Sequence, residues 1–400
     1  MLVYPFPMHL SQGFTYHLSI LQFLHALAAH VDIKLCCLDA PLELKTFFVN
    51  EFGEPLNPRV EVVQIAQRRY GLKSNRIWFF RNVLREIKAL IHANIGVTIY
   101  TRNVKQMAQF IDCRDKWPQA VRCVFECHQL YSQNLAFCGD FQGGQREYTL
   151  ERKIQRRADC VFVNTKPLAD HVQRLFQSQP RILPVATRAR DLVVPDLVAD
   201  RFRSRAYDFV YAGSFVAWKG VDVLFEALGI MARNGWAGRA LCVGVREHEF
   251  EDVRAQLQAA GAQDHVTLHG RVARHEIAGF LDQARIGVLP NSLIEDSVFN
   301  TSPLKLFDYA ARGLHICATR LPALDGVMDG EAIFWSRPDD AVDLARSLLA
   351  ASEHANEMNL DAIDWVGQFT WEKRAHQVAI VLDHFWGHLV PKEGLEPSSP

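Results

Sequence analysis

Ser302, Pro303, Leu304, Lys305 and Asp308 stand together in the run from Ser302 to Ala311, and their types suit an anion. Ser302 is a good helix N-cap, and Pro303 sits where a first turn tolerates proline, so the free N–H groups of that turn face outward. Those donors and the helix dipole favour a phosphate. Lys305, Asp308 and Arg312 fall on one polar face, while Leu304, Phe307 and Ala311 form a face that packs inward. An acid beside a phosphate site usually holds sugar hydroxyls. The same residues also fit a capped surface helix in which Asp308 pairs with Lys305 and Arg312.

A second cation is placed by Gly213-Ser214-Phe215-Val216-Ala217-Trp218-Lys219-Gly220, which follows an apolar run and precedes a helical pattern. Lys219 there suits a diphosphate, although a solvated lysine before a helix also explains the residue when the segment stands alone. The spacing is neither a Walker P-loop nor a G-x-G-x-x-G fingerprint. Two further positions follow strand-like runs: His128, in Glu126-Cys127-His128-Gln129, and Arg102, in Tyr100-Thr101-Arg102-Asn103. A histidine so placed is a loop or core residue as readily as a functional one. Arg102 can receive an acceptor anion or stand at the surface.

The elements that must position these residues alternate short apolar runs with longer helical patterns, the mark of βα units around parallel sheets. The chain is 400 residues long, 49% hydrophobic and 22% charged, with a formal net charge of -1. That length fits two domains, and the charge balance gives no overall attraction to nucleic acid. Nine cysteines without a C-x-x-C pair argue against a disulfide framework and a structural zinc site. One series of strands is expected at 1–6, 31–36, 60–65, 97–100, 120–126 and 160–164. A connection rich in arginine, with Pro184 and Pro195, spans 181–205. A second series follows at 208–213, 240–243, 266–270, 286–289, 314–318 and 332–334. The predicted class is α/β, two doubly wound Rossmann-like domains facing across a cleft lined by the carboxyl ends of strands from each. Residues 1–190 form the first domain, 200–370 the second, 371–390 a final helix and 391–400 a polar, proline-rich tail without apolar periodicity.

The order Ala212-Gly213…Lys219-Gly220, Val243-Gly244, Val266-Thr267-Leu268-His269-Gly270, Gly287-Val288-Leu289-Pro290, Ser302-Pro303-Leu304-Lys305-Leu306-Phe307-Asp308-Tyr309 and Phe369-Thr370-Trp371-Glu372 resembles that of the retaining, family-4 type glycosyltransferases of the GT-B fold. The resemblance implies transfer of a sugar, a hexose in type, from a nucleoside diphosphate to an acceptor held by the first domain. Configuration would be retained, with no metal ion, enzyme nucleophile or cofactor beyond the donor. It places His128 at the transfer centre, Lys219 on the diphosphate and Gly13 in the loop that approaches the donor phosphates. Gly213 and Ser214 line the donor site, the first turn at Ser302, Pro303, Leu304 and Lys305 receives phosphate or sugar, Asp308 holds the ribose, and the base lies near Val272. The final helix is implied to cross back to the first domain.

The sequence also departs from the family pattern. Where two glutamates eight positions apart are common it has Asn300 and Asp308, and where an arginine is common beside the first glycine it has Ser214. Asn300 still hydrogen-bonds a sugar hydroxyl, but Ser214 removes a cation from the diphosphate site. A catalytically reduced nucleotide- or sugar-binding partner in a polysaccharide assembly is therefore the alternative. The acceptor is expected to be a glycan, a lipid-linked saccharide or a small molecule, in cell-surface polysaccharide or glycoconjugate synthesis. The compartment is expected to be the cytoplasm. There the basic aromatic stretch 73–88 (Lys73, Arg76, Arg81, Arg85 and Lys88 among Trp78, Phe79 and Phe80) either docks on anionic lipid at the inner membrane face or packs its aromatics in the core.

Overall fold

A computed structural model describes residues 1–65, 72–293, 304–324, 327–328 and 333–387. Within them the strands form two parallel sheets. The first has β1 (Leu2–Pro5), β2 (Ile33–Cys37), β3 (Val60–Gln64), β4 (Val97–Thr101), β5 (Val121–Cys127), β6 (Cys160–Val163) and β7 (Arg181–Ile182), in the order β3-β2-β1-β4-β5-β6-β7. The second has β8 (Tyr207–Ala212), β9 (Ala240–Val245), β10 (Val266–Gly270), β11 (Ala284–Leu289), β12 (His315–Thr319) and β13 (Ile333–Ser336), in the order β10-β9-β8-β11-β12-β13. Apart from the extra edge strand β7, the two orders are the same doubly wound order.

The apolar runs explain the layering. In β1, Leu2 and Tyr4 enter one core while Val3 enters the core on the opposite face. In β8, Phe209 and Tyr211 face one core and Val210 and Ala212 the other. A strand buried on both faces reads as a continuous apolar stretch, because alternate side chains meet different helical layers.

The segment expected only as a connection carries more structure than that. Arg181–Ile182 pairs with β6, and Pro195 opens the helix Pro195–Phe202, where its missing N–H costs no hydrogen bond. The last helix, Trp371–Trp386, is capped by Thr370, whose hydroxyl accepts the Lys373 N–H at 3.3 Å. Its Trp371, Ala375, Val378, Ala379 and Leu382 join the core of the first sheet. Thr187 exchanges backbone hydrogen bonds with Phe369 and Trp371, both at 3.0 Å, so the two crossing segments run side by side. Residues 388–400 lie outside the described residues. Among the described residues no helix is long and apolar enough to cross a membrane.

Candidate donor cleft and the cluster opposite it

In both sheets the strand order reverses beside the first strand of the set, and the loops leaving β1 and β8 open there. Ligands of such sheets bind at that crevice. A cavity of about 540 Å³ lies at this place, lined by Gly13 and Phe14 after β1, Gly213 and Ser214 after β8, Val272 after β10, and Leu304, Lys305 and Asp308 on the helix Leu304–Ala311. A larger cavity of about 660 Å³ lies on the opposite strand ends, against the last helix. Its Arg122 and Asp159 are already bonded, to Pro118 O and to Arg114.

Two glycines shape the cleft. A Cβ on Gly213 would stand 2.3 Å from Lys305 Cε, so the absent side chain is the space the lysine occupies. Gly13 has φ +67°, a left-handed conformation that other residues rarely adopt, and ends the turn Leu10–Gln12. That turn is held from below by Asp39, which is fully buried and accepts the N–H groups of Leu10 at 2.7 Å and Ser11 at 3.1 Å.

Positive charge collects on the second-domain wall. Lys305 Nζ is buried 3.7 Å from the Tyr211 ring centroid and has no hydrogen-bond partner among the described residues. Burial, and then the neighbouring Lys219, hold its pKa well below the ordinary lysine range. Lys219 closes the short turn Ala217–Lys219 with its Nζ 3.5 Å from the centroid of Trp218. Burial lowers its pKa to about 7. Lys219 is an electrostatic neighbour of Lys305 and is not among the residues that line the cavity. Arg246, Arg271 and Arg274 line the cavity itself, and none of them stood out in the sequence. Arg246 and Arg271 follow directly on the ends of β9 and β10, the one signal that could have found them, while Arg274 lies four positions past β10 and carried no such signal. Ser214 offers its carbonyl to Tyr211 Oη at 2.6 Å. Arg246 supplies a cation to the same cavity that Ser214 does not.

Asp308 pairs with neither of the expected partners. Arg274 holds its carboxylate, and Thr187 Oγ1 donates to it at 3.4 Å. Arg312 instead grips Asp282 through Nε at 2.8 Å and Nη2 at 2.6 Å. A separation of i, i+4 on one helix lost to an arginine from the loop after β10, which reaches Asp308 in a buried setting where pairing counts for more. Burial raises the Asp308 pKa against the opposing pull of Arg274. The same loop reaches across to the first domain. Glu51, 4% exposed, pairs with Arg271 and accepts the Arg274 N–H at 3.2 Å, while the His275 N–H donates to Glu51 O at 2.9 Å.

Outside the cavity lining, the carboxyl ends of β4 and β5 in the first domain carry a second constellation. Glu126 is 1% exposed and accepts from Arg102 Nη2 at 2.9 Å, Arg374 Nη2 at 2.5 Å and Tyr100 Oη, with His128 Nε2 2.5 Å away. Arg102 is thus no surface residue: its side chain is 15% exposed, and its Nη1 donates to Ser19 Oγ at 3.1 Å. Glu126 and Arg374 were not singled out in the sequence. Asn300, Ser302 and Pro303 lie outside the described residues. In the basic stretch, Phe79, Val83 and Ile87 of the helix Leu72–His92 are buried in the core while Arg76, Arg81, Arg85 and Lys88 are exposed.

Residues 206–354 match the family model described as Glycosyl transferases group 1, a span that begins just before β8 and ends after β13. The amylovoran biosynthesis glycosyltransferase AmsK of Erwinia amylovora is 29% identical over 140 residues, covering 34% of this chain and 33% of AmsK. The chain therefore matches about a third of that relative's length. Whole-chain likeness is found in structures. Sucrose-phosphate synthase from Thermosynechococcus elongatus superimposes with a TM-score of 0.71 at 18% identity, over 96% of this chain and 99% of that one. HepE of Anabaena, solved with UDP and with UDP-glucose, superimposes in its UDP complex with a TM-score of 0.69 at 13% identity, over 96% and 99%. At such identities the likeness speaks for architecture: the chain has the GT-B fold, two Rossmann-like domains, the second of which carries the match to glycosyl transferases group 1.

Proposed function

We propose that the chain is a glycosyltransferase that moves a sugar from a nucleoside diphosphate sugar in the cleft to an acceptor on the first domain, in polysaccharide or glycoconjugate synthesis. One observation carries this reading: a cleft at both switch points whose wall holds the buried, unpartnered Lys305 backed by Lys219. A diphosphate supplies the missing negative charge. As the sugar leaves, charge builds on the diphosphate, and fixed cations in a site closed to water stabilise it most at that moment. In this reading Lys305 and Lys219, with the turn from Ser302 to Leu304 and Asn300, serve the phosphates and sugar. Arg246 takes the part of the cation missing at Ser214. Asp308 receives the ribose once Arg274 yields, Val272 faces the base, and Gly13 lets the first-domain loop approach the phosphates. His128 faces the acceptor, with Arg102 behind it. Retention of configuration, a hexosyl donor and independence of metal belong to the proposal through the family resemblance. So does action at the cytoplasmic membrane face through the exposed arginines of the helix Leu72–His92.

Thermal unfolding with UDP, GDP, ADP and CMP tests this. Selective stabilisation by one nucleotide is expected, worth about 2.7 kcal/mol at ~100 times its dissociation constant. The gain should vanish in Lys305→Met and shrink in Asp308→Asn. No stabilisation by any of them at millimolar concentration would contradict the proposal. Ser214 favours a second reading, a nucleotide-binding partner without turnover. Release of sugar from the matching donor, whether transferred or hydrolysed, would exclude it.

A further inference from the structure

Glu126 is nearly inaccessible, yet three groups crowd one of its oxygens. Arg374 Nη2 at 2.5 Å, Arg102 Nη2 at 2.9 Å and His128 Nε2 at 2.5 Å all meet Oε1, while Tyr100 Oη donates to Oε2. Burial alone would raise the Glu126 pKa, but the guanidinium groups of Arg102 and Arg374 outweigh it and hold the carboxyl well below its ordinary range. An ionised carboxylate only accepts hydrogen bonds, so at 2.5 Å His128 Nε2 must carry the proton. Burial, and then Arg102, lower the His128 pKa to about 4, which leaves the ring neutral at pH 7 and puts the lone pair on Nδ1.

Arg374 comes from the last helix, 248 residues further along the chain. It is 3% exposed, its Nη1 donates to Leu183 O at 2.5 Å and to Pro184 O, and its guanidinium lies over Phe23 at 5.2 Å. Such an anchored fork leaves Glu126 little freedom to turn. The last helix is therefore more than a strap across the two domains, since it contributes a group to the cluster at the ends of β4 and β5.

We propose that Glu126 is the positioning residue of His128, fixing its imidazole as the Nε2–H tautomer with Nδ1 open to a substrate hydroxyl, and that Arg374 on the last helix holds Glu126 in register. The identity of that hydroxyl as the sugar acceptor's rests on the proposed function; the tautomer does not.

The test is long-range ¹H–¹⁵N correlation of the full chain labelled at histidine, with the His128 signals assigned by their loss in His128→Gln. A neutral Nε2–H ring from about pH 5.5 to 8 is expected. In Glu126→Gln, whose amide can donate as well as accept, both tautomers should appear. An Nδ1–H ring or an imidazolium at pH 7 in the unaltered chain, or an unchanged tautomer in Glu126→Gln, would overturn the proposal. The unaltered chain decides the first point without any variant, so a poorly folding Glu126→Gln does not remove the test. In a transfer assay Glu126→Gln should lower kcat roughly 100-fold with the donor KM unchanged, as loss of an oriented acid–base group does and loss of general stability does not. Nucleotide stabilisation of the unaltered chain separates the two claims. A chain with the Nε2–H ring that binds no nucleotide keeps the positioning role and loses the transferase reading, whereas nucleotide binding with an Nδ1–H ring does the reverse.

Discussion

The two domains handle buried charge in opposite ways. On the first-domain side Glu126 meets Arg102, Arg374, His128 and Tyr100, and every partner is supplied by the chain itself. On the second-domain side Lys305 has no hydrogen-bond partner among the described residues, and its neighbour Lys219 is a second cation. A cluster whose charges are paired, even though Arg102 Nε and Arg374 Nε find no hydrogen-bond partner among the described residues, is built before any ligand arrives and holds a geometry. In a cluster short of negative charge, burial disfavours the charged form of the lysines until an anion enters, because a buried unpaired charge costs several kcal/mol. Orientation is thus proposed for the first cluster and binding for the second. Between them the loop 271–275 touches Glu51 in the first domain and Asp308 in the second.

The most severe way to break this contrast is on the satisfied side. Glu126→Ala leaves two buried guanidinium groups uncompensated and should cost about 3–5 kcal/mol in urea unfolding. On the unsatisfied side the sign reverses. Lys305→Met removes a buried amino group that has no hydrogen-bond partner among the described residues and should raise the stability of the unliganded protein by roughly 1–3 kcal/mol while abolishing the gain from nucleotide. Gly213→Ala drives a Cβ toward Lys305 Cε and should weaken nucleotide binding about tenfold, or ~1.4 kcal/mol, by displacing the lysine. Results of opposite sign at Glu126 and Lys305, the loss at Glu126 being the larger, would support the division of labour.

The lysines also set a pH dependence. The folded Lys219 pKa of about 7 lies below its ordinary value of 10.5, so between those limits the unfolded chain binds more protons, and stability rises with pH. The buried thiols of Cys36, Cys123 and Cys242, whose pKa values are pushed up to about 12, act in the reverse sense once unfolded thiols begin to ionise. The rise should therefore be seen between about pH 7 and 8.5, at no more than ~1.4 kcal/mol per unit for each group, and be smaller in Lys219→Met, with the remainder carried by Lys305. The smallest effect is expected at the clasp. Arg271 is 54% exposed, so Arg271→Ala should change stability by less than about 1 kcal/mol. Its consequence is a larger radius of gyration in X-ray scattering as the domains part.

Much of this architecture was legible in the sequence, because each parallel strand is buried on both faces and announces itself as an apolar run. The switch-point glycines and Lys305 were legible too, since backbone approach and charge are local properties. What escaped was pairing across distance. No spacing rule joins Arg374 to Glu126, or takes Asp308 from its helix neighbour Arg312 to Arg274. Only the folded topology brings the end of β5, the last helix and the loop after β10 to their partners. The edge strand β7 escaped for another reason: its two residues are exposed and lie among arginines and prolines that read as a connection.

Calorimetric titration with UDP, GDP, ADP and CMP at pH 8, in two buffers of different ionisation enthalpy, reads the central contrast directly. Binding of one of these nucleotides is expected to take up roughly one proton, as phosphate oxygens restore charge to lysines that burial had lowered. Binding without proton uptake, or no binding of any of the four at millimolar concentration, would contradict the assignment of this wall to a nucleotide donor.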